Sequence, residues 1–312
     1  MNFYNKSDIP VDLQEYFCPA EIGLEQTPEE YVAKLVEVFR EVRRVLRDDG
    51  TLWLNLGDSY SGSGKGPAGN LGKIHNEREI KQTSGIVPDG LKPKDLIGIP
   101  WRAAFALQAD GWWLRQDIIW SKPNPMPESV TDRCTKAHEY VFLLSKSARY
   151  YFDQKAVAEP VTQSTIERLS QPNLENQIGS DRVPGKTNGN MKAKPPRFGG
   201  DKYGDDATDQ SRTKSGNDYT MPTDGKRNKR SVWTVATQPY KEAHFATFPP
   251  KLISPMILAG CPVGGTVLDP FGGSGTTGEV AERYGRNSIL IELNPAYIEL
   301  QKQRTAQMGL GL

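Results

Sequence analysis

The first clear hydrophobic pattern along the chain is helical. Thr27 stands as a predicted N-cap, with Glu30 three residues later as its capping-box partner. After this start, apolar residues recur at helical spacing, at Tyr31, Leu35, Val38, Val42, Val45 and Leu46. The pattern predicts an amphipathic helix. Asp49-Gly50 then turns the chain into a β-rich run at 51–56, which predicts a strand.

Helix and strand patterns alternate further along the chain. A helix is predicted from Ile99 to Ala109, with strands from Asp117 to Ser121 and from Glu139 to Ser145. Between about Glu159 and Ser231, Gly, Pro, Asn, Asp, Ser and Lys dominate, which predicts an irregular, partly disordered insert. Regular patterning resumes at Val232. The alternation predicts an α/β fold in three parts: 1–158, an insert at 159–231, and 232–312.

Composition narrows the compartment and the partners. Hydrophobic residues make up 37% and charged residues 25% of 312 residues, with a net charge of +1, so affinity for a polyanion must come from local clustering. The three cysteines and three histidines are scattered, which predicts a reducing compartment and no metal site. The longest apolar stretch, 252–263, is too short to span a bilayer, and no signal peptide is recognised. We therefore expect a cytoplasmic protein without a membrane partner.

The segment "VLDPFGGSGTTGEVAERYGRNSILIEL", 267–293, has the pattern of a strand, a glycine turn, a helix and a second strand. Gly273-x-Gly275-x-x-Gly278 matches the dinucleotide fingerprint, in which backbone and a helix N-terminus approach a ligand. Asp269 ends the first strand, and Glu292 ends the second 23 positions later, where an acid binds ribose hydroxyls. The pair predicts a nucleoside-like cofactor. The alternative is a turn whose glycines serve packing alone.

Two other nucleotide-binding classes fit the sequence less well. "SGSGKG" at 61–66 lacks the first glycine of an ATPase phosphate loop, and Gly66 follows Lys65 where Ser or Thr is required. A dinucleotide dehydrogenase places further strands after the turn, whereas only 34 residues follow Gly278. The remaining strands of the sheet are therefore expected upstream of the turn.

At this point the motifs identify a family resemblance. "LDPFGGSGTT", followed by "IELNPAYI" and preceded by "HFATFP" at 244–249, resembles the S-adenosylmethionine site of DNA amino-methyltransferases. The chain is similar to the circularly permuted subgroup of these enzymes. The similarity extends to residues 27–59, to "WSKPNPMPESVTDRCTKAHEYVFLLSKS" at 120–147, and to the part after Val232. The resemblance implies a circularly permuted, Rossmann-like methyltransferase sheet with an irregular target-recognition insert. It also implies S-adenosylmethionine as cofactor, double-stranded DNA as substrate, and methylation of cytosine N4 or adenine N6.

The same resemblance implies a set of cofactor-binding residues. Glu292 corresponds to the ribose ligand, the Asp-Pro-Phe-Gly-Gly turn to the loop around the methionine part, and the segment at 245–248 to the adjoining wall. The full set is Phe245, Thr247, Phe248, Asp269, Phe271, Gly272, Gly273, Gly275, Glu292 and Asn294.

Predicted DNA contacts lie in two other segments. Two prolines fix a rigid loop after the strand that ends at Ser121, and this loop carries Lys122 and Asn124. From 181 to 231 the chain has twelve Lys or Arg and seven Asp, a net of +5, with a basic run at Lys226, Arg227, Lys229 and Arg230. The alternatives are a surface turn for the loop and a solvated linker for the run.

One expected motif is missing, so no catalytic residue is assigned. Enzymes of this resemblance carry a [DNS]-Pro-Pro-[YFW] tetrad before the first helix, whose oxygens accept hydrogens of the target amine while its aromatic ring stacks on the base. Residues 1–26 contain neither the tetrad nor an apolar strand to carry it; the Pro-Pro pairs stand at 195–196 and 249–250. Asp58 is a polar neighbour of the expected base position.

The missing motif leaves a second hypothesis open. The chain is then an N-terminally incomplete, catalytically impaired homologue that binds cofactor and DNA, with a vacancy or a makeshift strand beside the "VLDP" strand. On this hypothesis, activity requires an upstream extension or a complementing segment. The sequence leaves open the choice of base, the recognition site, the oligomeric state, a homodimer included, and any nuclease partner in a restriction-modification system.

Overall fold

The computed structural model describes residues 22–23, 25, 27–62, 87, 90–169, 225–238 and 248–306. The chain divides into two compact units, a larger one formed by 1–152 with 231–312 and a smaller one formed by 153–230. The smaller unit overlaps the insert predicted at 159–231, whose role in target recognition stays a prediction. Residues 170–224, within that prediction, lie outside the described residues.

The helices and strands alternate along the chain. In chain order they are α1 (Pro28–Val45), β1 (Thr51–Leu56), α2 (Ile99–Ala109), β2 (Trp113–Ser121), β3 (His138–Ser145), β4 (Glu159–Pro160), α3 (Gln163–Leu169), β5 (Lys226–Arg227), β6 (Val232–Thr234), α4 (Pro250–Gly260), β7 (Thr266–Asp269), α5 (Thr276–Arg283), β8 (Asn287–Leu290) and α6 (Pro295–Ala306). The larger unit has an α/β fold, as the alternation predicts.

Local signals explain where the first helix begins. The Thr27 Oγ1 accepts a hydrogen bond from the Glu30 backbone N–H at 3.2 Å, and Pro28 occupies the first helical turn, where its missing N–H costs nothing.

Strand β2 begins at Trp113, four residues before the predicted Asp117. The difference arises because β2 pairs with β3 from its first residue onward, across an irregularity between Leu114 and Gln116, and this pairing extends β2 through its exposed first residues.

The strands of the larger unit form two sheets. The first has the order β1-β3-β2-β6, with β3 antiparallel to both β1 and β2, and β6 parallel to β2. The second contains β7 and β8 in parallel. Within the described part of the chain, β1 pairs only with β3, and β7 pairs only with β8. Each of these two strands therefore has one edge without a described partner.

Helices cover both faces of this arrangement. On one face α1 and α2 pack against β1 and β3, and Leu268 of β7 contacts the same apolar cluster as Leu54 of β1. On the other face α4 and α5 pack against β2, β3 and β6, and there Val267 of β7 and Trp53 of β1 contact one cluster. Both helical layers thus extend over both sheets, in a doubly wound arrangement.

The described part of the smaller unit contains a two-stranded antiparallel pair and a helix. Strands β4 and β5 are antiparallel, with Glu159 opposite Arg227. The prediction of an irregular insert missed α3, because seven residues are too few to show an apolar period. The backbone carbonyl of Thr162 accepts hydrogen bonds from the first turn of α3. Among the residues that are described, no helix is long and apolar enough to cross a membrane.

Candidate cofactor site

The turn between β7 and α5 is closed by the carboxylate of Asp269. Its Oδ1 accepts a hydrogen bond from the Phe271 backbone N–H at 3.0 Å, and its Oδ2 accepts one from the Thr277 hydroxyl at 2.5 Å. Burial raises the pKa of Asp269, and these two hydrogen bonds oppose the rise. Asp269 therefore links the end of β7 to the first turn of α5.

The glycines of the turn have two different roles. A Cβ atom at Gly272 would lie 2.9 Å from the Gln301 side chain, one at Gly275 would lie 3.1 Å from the Gln301 Cα, and one at Gly278 would lie 3.0 Å from a β8 side chain. These three glycines allow close packing. Gly273 has a φ of +49°, and its nearest neighbour would be a backbone oxygen at 3.8 Å. Gly273 is thus the glycine with room for a ligand to approach.

Glu292 is held by backbone N–H groups just after β8. Its Oε2 accepts a hydrogen bond from Gly273 at 2.9 Å, and its Oε1 accepts one from Asn294 at 2.8 Å. A carboxylate oxygen has two acceptor positions, so both oxygens can still accept a hydroxyl hydrogen. The Asn294 Oδ1 accepts the Ala296 N–H at 3.0 Å, which makes Asn294 a cap of α6.

The other predicted cofactor residues lie in different surroundings. The Phe271 side chain is 47% exposed, and its ring packs edge-on against Phe39 of α1, with 6.2 Å between the centroids. Phe248 is half-buried against the second apolar cluster. Phe245 and Thr247 lie outside the described residues.

A second polar cluster occupies the carboxyl ends of β1 and β2. The Lys122 ammonium pairs with the Glu139 carboxylate and lies 4.3 Å from the centroid of the Trp120 ring. The Asn55 amide donates to the Glu139 Oε2 at 3.2 Å and to the Tyr140 carbonyl at 3.0 Å. Burial lowers the pKa of the nearby Lys136 ammonium, although the Asp58 and Glu139 carboxylates oppose the shift.

Sequence reasoning missed Asn55, Glu139 and Lys136. The sequence predicts Glu139 only as the first residue of a strand, because its place beside Lys122 depends on the direction of β3. Since β3 is antiparallel to β1 and β2, its first residues lie beside the carboxyl ends of those strands. Carboxyl ends of strands are where α/β sheets bind ligands.

Asp58 and Asn124 form internal hydrogen bonds. The Asp58 Oδ1 accepts the backbone N–H groups of Ser59, Gly98 and Ile99 at 2.9 to 3.0 Å, which caps α2. The Asn124 Oδ1 accepts the Thr237 N–H at 2.9 Å, and its amide donates to the Thr237 carbonyl at 3.3 Å. Asn124 thus joins the loop after β2 to the segment after β6. DNA contacts by Lys122 and Asn124 stay a prediction.

In the smaller unit, two arginines of the basic run pair with Glu159. The Nε atoms of Arg227 and Arg230 donate to the same Glu159 oxygen at 3.2 and 3.0 Å. On the same segment, Lys226 is exposed and Lys229 is half-buried. No group of three or more His, Cys, Asp or Glu side chains suited to a metal ion is present in the described parts of either unit.

The fold and the site define a class. A doubly wound α/β unit with a glycine turn after one strand and a held acid after the next is a nucleoside-cofactor domain of the Rossmann-like type. The sequence profile of the DNA methylase family of N6- and N4-methyltransferases matches residues 4–303. The chain belongs to this family of DNA amino-methyltransferases, whose methyl donor is S-adenosylmethionine. The predictions of family, enzyme class and cofactor are thereby confirmed.

Individual relatives agree with the family. The Type II methyltransferase M.SmaI of Serratia marcescens is 41% identical over 292 residues, which cover 94% of this chain and 80% of the relative. The Type II methyltransferase M.Cfr9I of Citrobacter freundii is also 41% identical, over 94% of this chain and 77% of the relative. The solved PvuII DNA methyltransferase (cytosine-N4-specific) has a TM-score of 0.53 at 18% identity, over 89% of this chain and 71% of that one. This likeness confirms the predicted methyltransferase fold.

The buried carboxylate of Asp269 generates a pH prediction. Because burial raises its pKa above the unfolded value of about 3.9, the folded state binds this proton more tightly than the unfolded state. The stability contribution of Asp269 is therefore greatest below about pH 4 and is lost as pH rises through the folded pKa. In Asp269→Asn this loss is absent, so we expect the variant to gain stability relative to wild type between pH 4 and 8. Thermal unfolding of both proteins across this range measures the difference in stability. If the wild type becomes more stable relative to the variant as pH rises, the pKa of Asp269 is not raised in the folded state.

Proposed function

We propose that this chain transfers a methyl group from S-adenosylmethionine to an exocyclic amino nitrogen, cytosine N4 or adenine N6, at specific sites in double-stranded DNA. The observation that carries the proposal is the Glu292 carboxylate, fixed by Gly273 beside the open side of the glycine turn. The names of the Type II relatives support a role in restriction-modification. A circular permutation with the cofactor half last is part of the same proposal.

The described residues suit the two parts of the reaction differently. When bound, S-adenosylmethionine supplies an electrophilic methyl group. We propose that Glu292 accepts hydrogen bonds from its ribose hydroxyls and that the ligand crosses the loop at Gly273. The target base must leave the duplex to reach such a site. The half-buried cluster of Lys122, Glu139 and Asn55 offers donors and acceptors for a base edge at the carboxyl ends of β1 and β2. We propose this cluster as a neighbour of the flipped base.

Methyl transfer is tested with labelled S-adenosylmethionine and mixed-sequence duplex DNA, followed by nucleoside analysis of the digested product. We expect the label in N4-methylcytosine or N6-methyladenine, which also decides the base. Label in a carbon-methylated base contradicts the proposal. Cofactor binding without transfer of the label supports a second candidate function, which is binding of cofactor and DNA with little or no methyl transfer.

Glu292→Ala should weaken S-adenosylhomocysteine binding by roughly 1–3 kcal/mol, the scale for hydrogen bonds to a charged group. Calorimetry measures the change. Glu299→Ala is the matched control, because Glu299 is an exposed acid of α6 that pairs with Lys302, and this variant should bind like wild type. Absence of binding to folded wild-type protein would overturn the cofactor assignment.

A second candidate function is binding of cofactor and DNA with little or no transfer. It is favoured by one observation: within the described chain, β1 and β7 each have an edge that pairs with no strand, while shared helical layers cover both sheets. A strand in that position would lie between the cofactor half and the polar cluster. The tetrad that the sequence lacks belongs on such a strand.

The second candidate predicts saturable cofactor binding together with methyl transfer far below the roughly 1 per second typical of enzymes. A peptide that carries an apolar strand ending in the tetrad should raise the rate. A fast rate without the peptide rejects this candidate and shows that other residues do the work of the tetrad. Asp58→Asn and Glu139→Gln are then the first variants to compare.

We further propose that the basic run of the smaller unit contacts DNA phosphates. Replacing Lys226, Arg227, Lys229 and Arg230 with Gln should weaken binding to all sequences alike and reduce the salt dependence, by up to about 0.9 in log–log slope per lost phosphate contact. Glu159→Gln is the opposite control, because it removes the acid that competes for both arginines. DNA titrations at several salt concentrations measure the affinity and its salt dependence. If the log–log slope does not change, the basic run is a linker that does not contact phosphates.

A further inference from the structure

Helix α6 contributes a polar side chain to the back of the glycine turn. Gln301 is 1% exposed, and its Nε2 donates to the Gly273 carbonyl at 2.8 Å. Its aliphatic part lies against the position where a Cβ of Gly275 would stand. A buried amide is costly unless it forms hydrogen bonds, and a hydrocarbon side chain would fill the same space without that cost. The amide itself therefore needs an explanation beyond packing.

The hydrogen bonds of Gly273 connect this amide to the candidate ribose ligand. The Gly273 carbonyl accepts from Gln301, while the Gly273 N–H donates to the Glu292 Oε2 at 2.9 Å. Since φ of Gly273 is +49°, glycine supplies the flexibility and these two bonds fix the conformation. Gln301, Gly273 and Glu292 thus form one continuous chain of hydrogen bonds.

A second residue of the same helix face supports the turn. The Arg304 guanidinium donates to the Ser274 Oγ at 3.1 Å and to the Thr276 Oγ1 at 2.9 Å, and its Nε pairs with the Glu279 Oε2. Gln301 and Arg304 are three residues apart, so they lie on one face of α6. This face donates hydrogen bonds to the turn at positions 273, 274 and 276.

We propose that Gln301 is a positioning residue for the cofactor, which acts through Gly273 on the orientation of Glu292. The inference rests on the proposed assignment of Glu292 as ribose ligand. Gln301 does not contact the ligand. It holds the loop so that Glu292 presents its remaining acceptor positions to the ribose hydroxyls.

The direct test is Gln301→Met, which keeps the volume and removes the donor. The Gly273 carbonyl then loses its partner, and we expect binding of S-adenosylhomocysteine to weaken on the order of tenfold. Lys302→Met is the matched control on the next, solvent-exposed position, and it should bind like wild type. Unchanged affinity of Gln301→Met would overturn the inference.

A double-mutant cycle separates positioning from general stability. If Gln301 acts through Glu292, then Gln301→Met in a Glu292→Ala background should weaken binding much less than it does in wild type. Equal losses in the two backgrounds would reject the proposed route. A Glu292→Ala protein that binds like wild type would reject the assignment of Glu292 instead, so the two failures are distinguishable.

Gln301→Glu provides an independent readout if the methionine variant does not fold. A protonated glutamic acid can donate to the Gly273 carbonyl, whereas a carboxylate repels it. Affinity of this variant for S-adenosylhomocysteine should therefore fall as pH rises from 5 to 9, while that of wild type changes little. A variant whose affinity follows wild type over this range contradicts the inference.

Discussion

The close contact between the glycine turn and α6 is the constraint on which the candidate site depends. A side chain at Gly272 or Gly275 would collide with Gln301, so backbone of the turn must lie directly against the helix. The same turn is joined to the end of β8, where the Gly272 N–H donates to the Ile291 carbonyl at 2.8 Å. The position of Glu292 is consequently set by strand, turn and helix together. A ligand that binds there meets an acceptor that is already oriented, which lowers the entropic cost of binding.

The elements around the glycine turn come from one continuous segment that packs against the first sheet. Residues 266–306 supply β7, α5, β8 and α6 as one continuous segment. The polar cluster around Glu139 belongs to the other sheet, and the apolar clusters on the two faces connect both sheets. The Phe39–Phe271 contact adds a direct link between α1 and the turn. The proposed cofactor ligand Glu292 and the proposed base neighbour Glu139 therefore belong to different sheets.

The sequence predicted features that depend on neighbouring residues and missed those that depend on distant ones. The Thr27 cap, the bounds of α2 and the pair Asp269 and Glu292 follow from local spacing. Glu139 could not be recognised, because its place beside Lys122 requires the antiparallel direction of β3. Gln301 stands in an ordinary helical sequence, and only the approach of α6 to Gly275 reveals its contact. Asp58 and Asn124 are polar residues at strand ends whose structural hydrogen bonds could not be told from ligand contacts without coordinates.

The central claim is that the turn at 269–278 and Glu292 together form the S-adenosylmethionine site. A crystal structure of the wild-type protein with S-adenosylhomocysteine tests it most directly. The account predicts both ribose hydroxyls within hydrogen-bond distance of the Glu292 carboxylate, at roughly 2.5–3.0 Å, with the ligand crossing the open side of Gly273. A ligand bound elsewhere, or a ribose that makes no contact with Glu292, would contradict it.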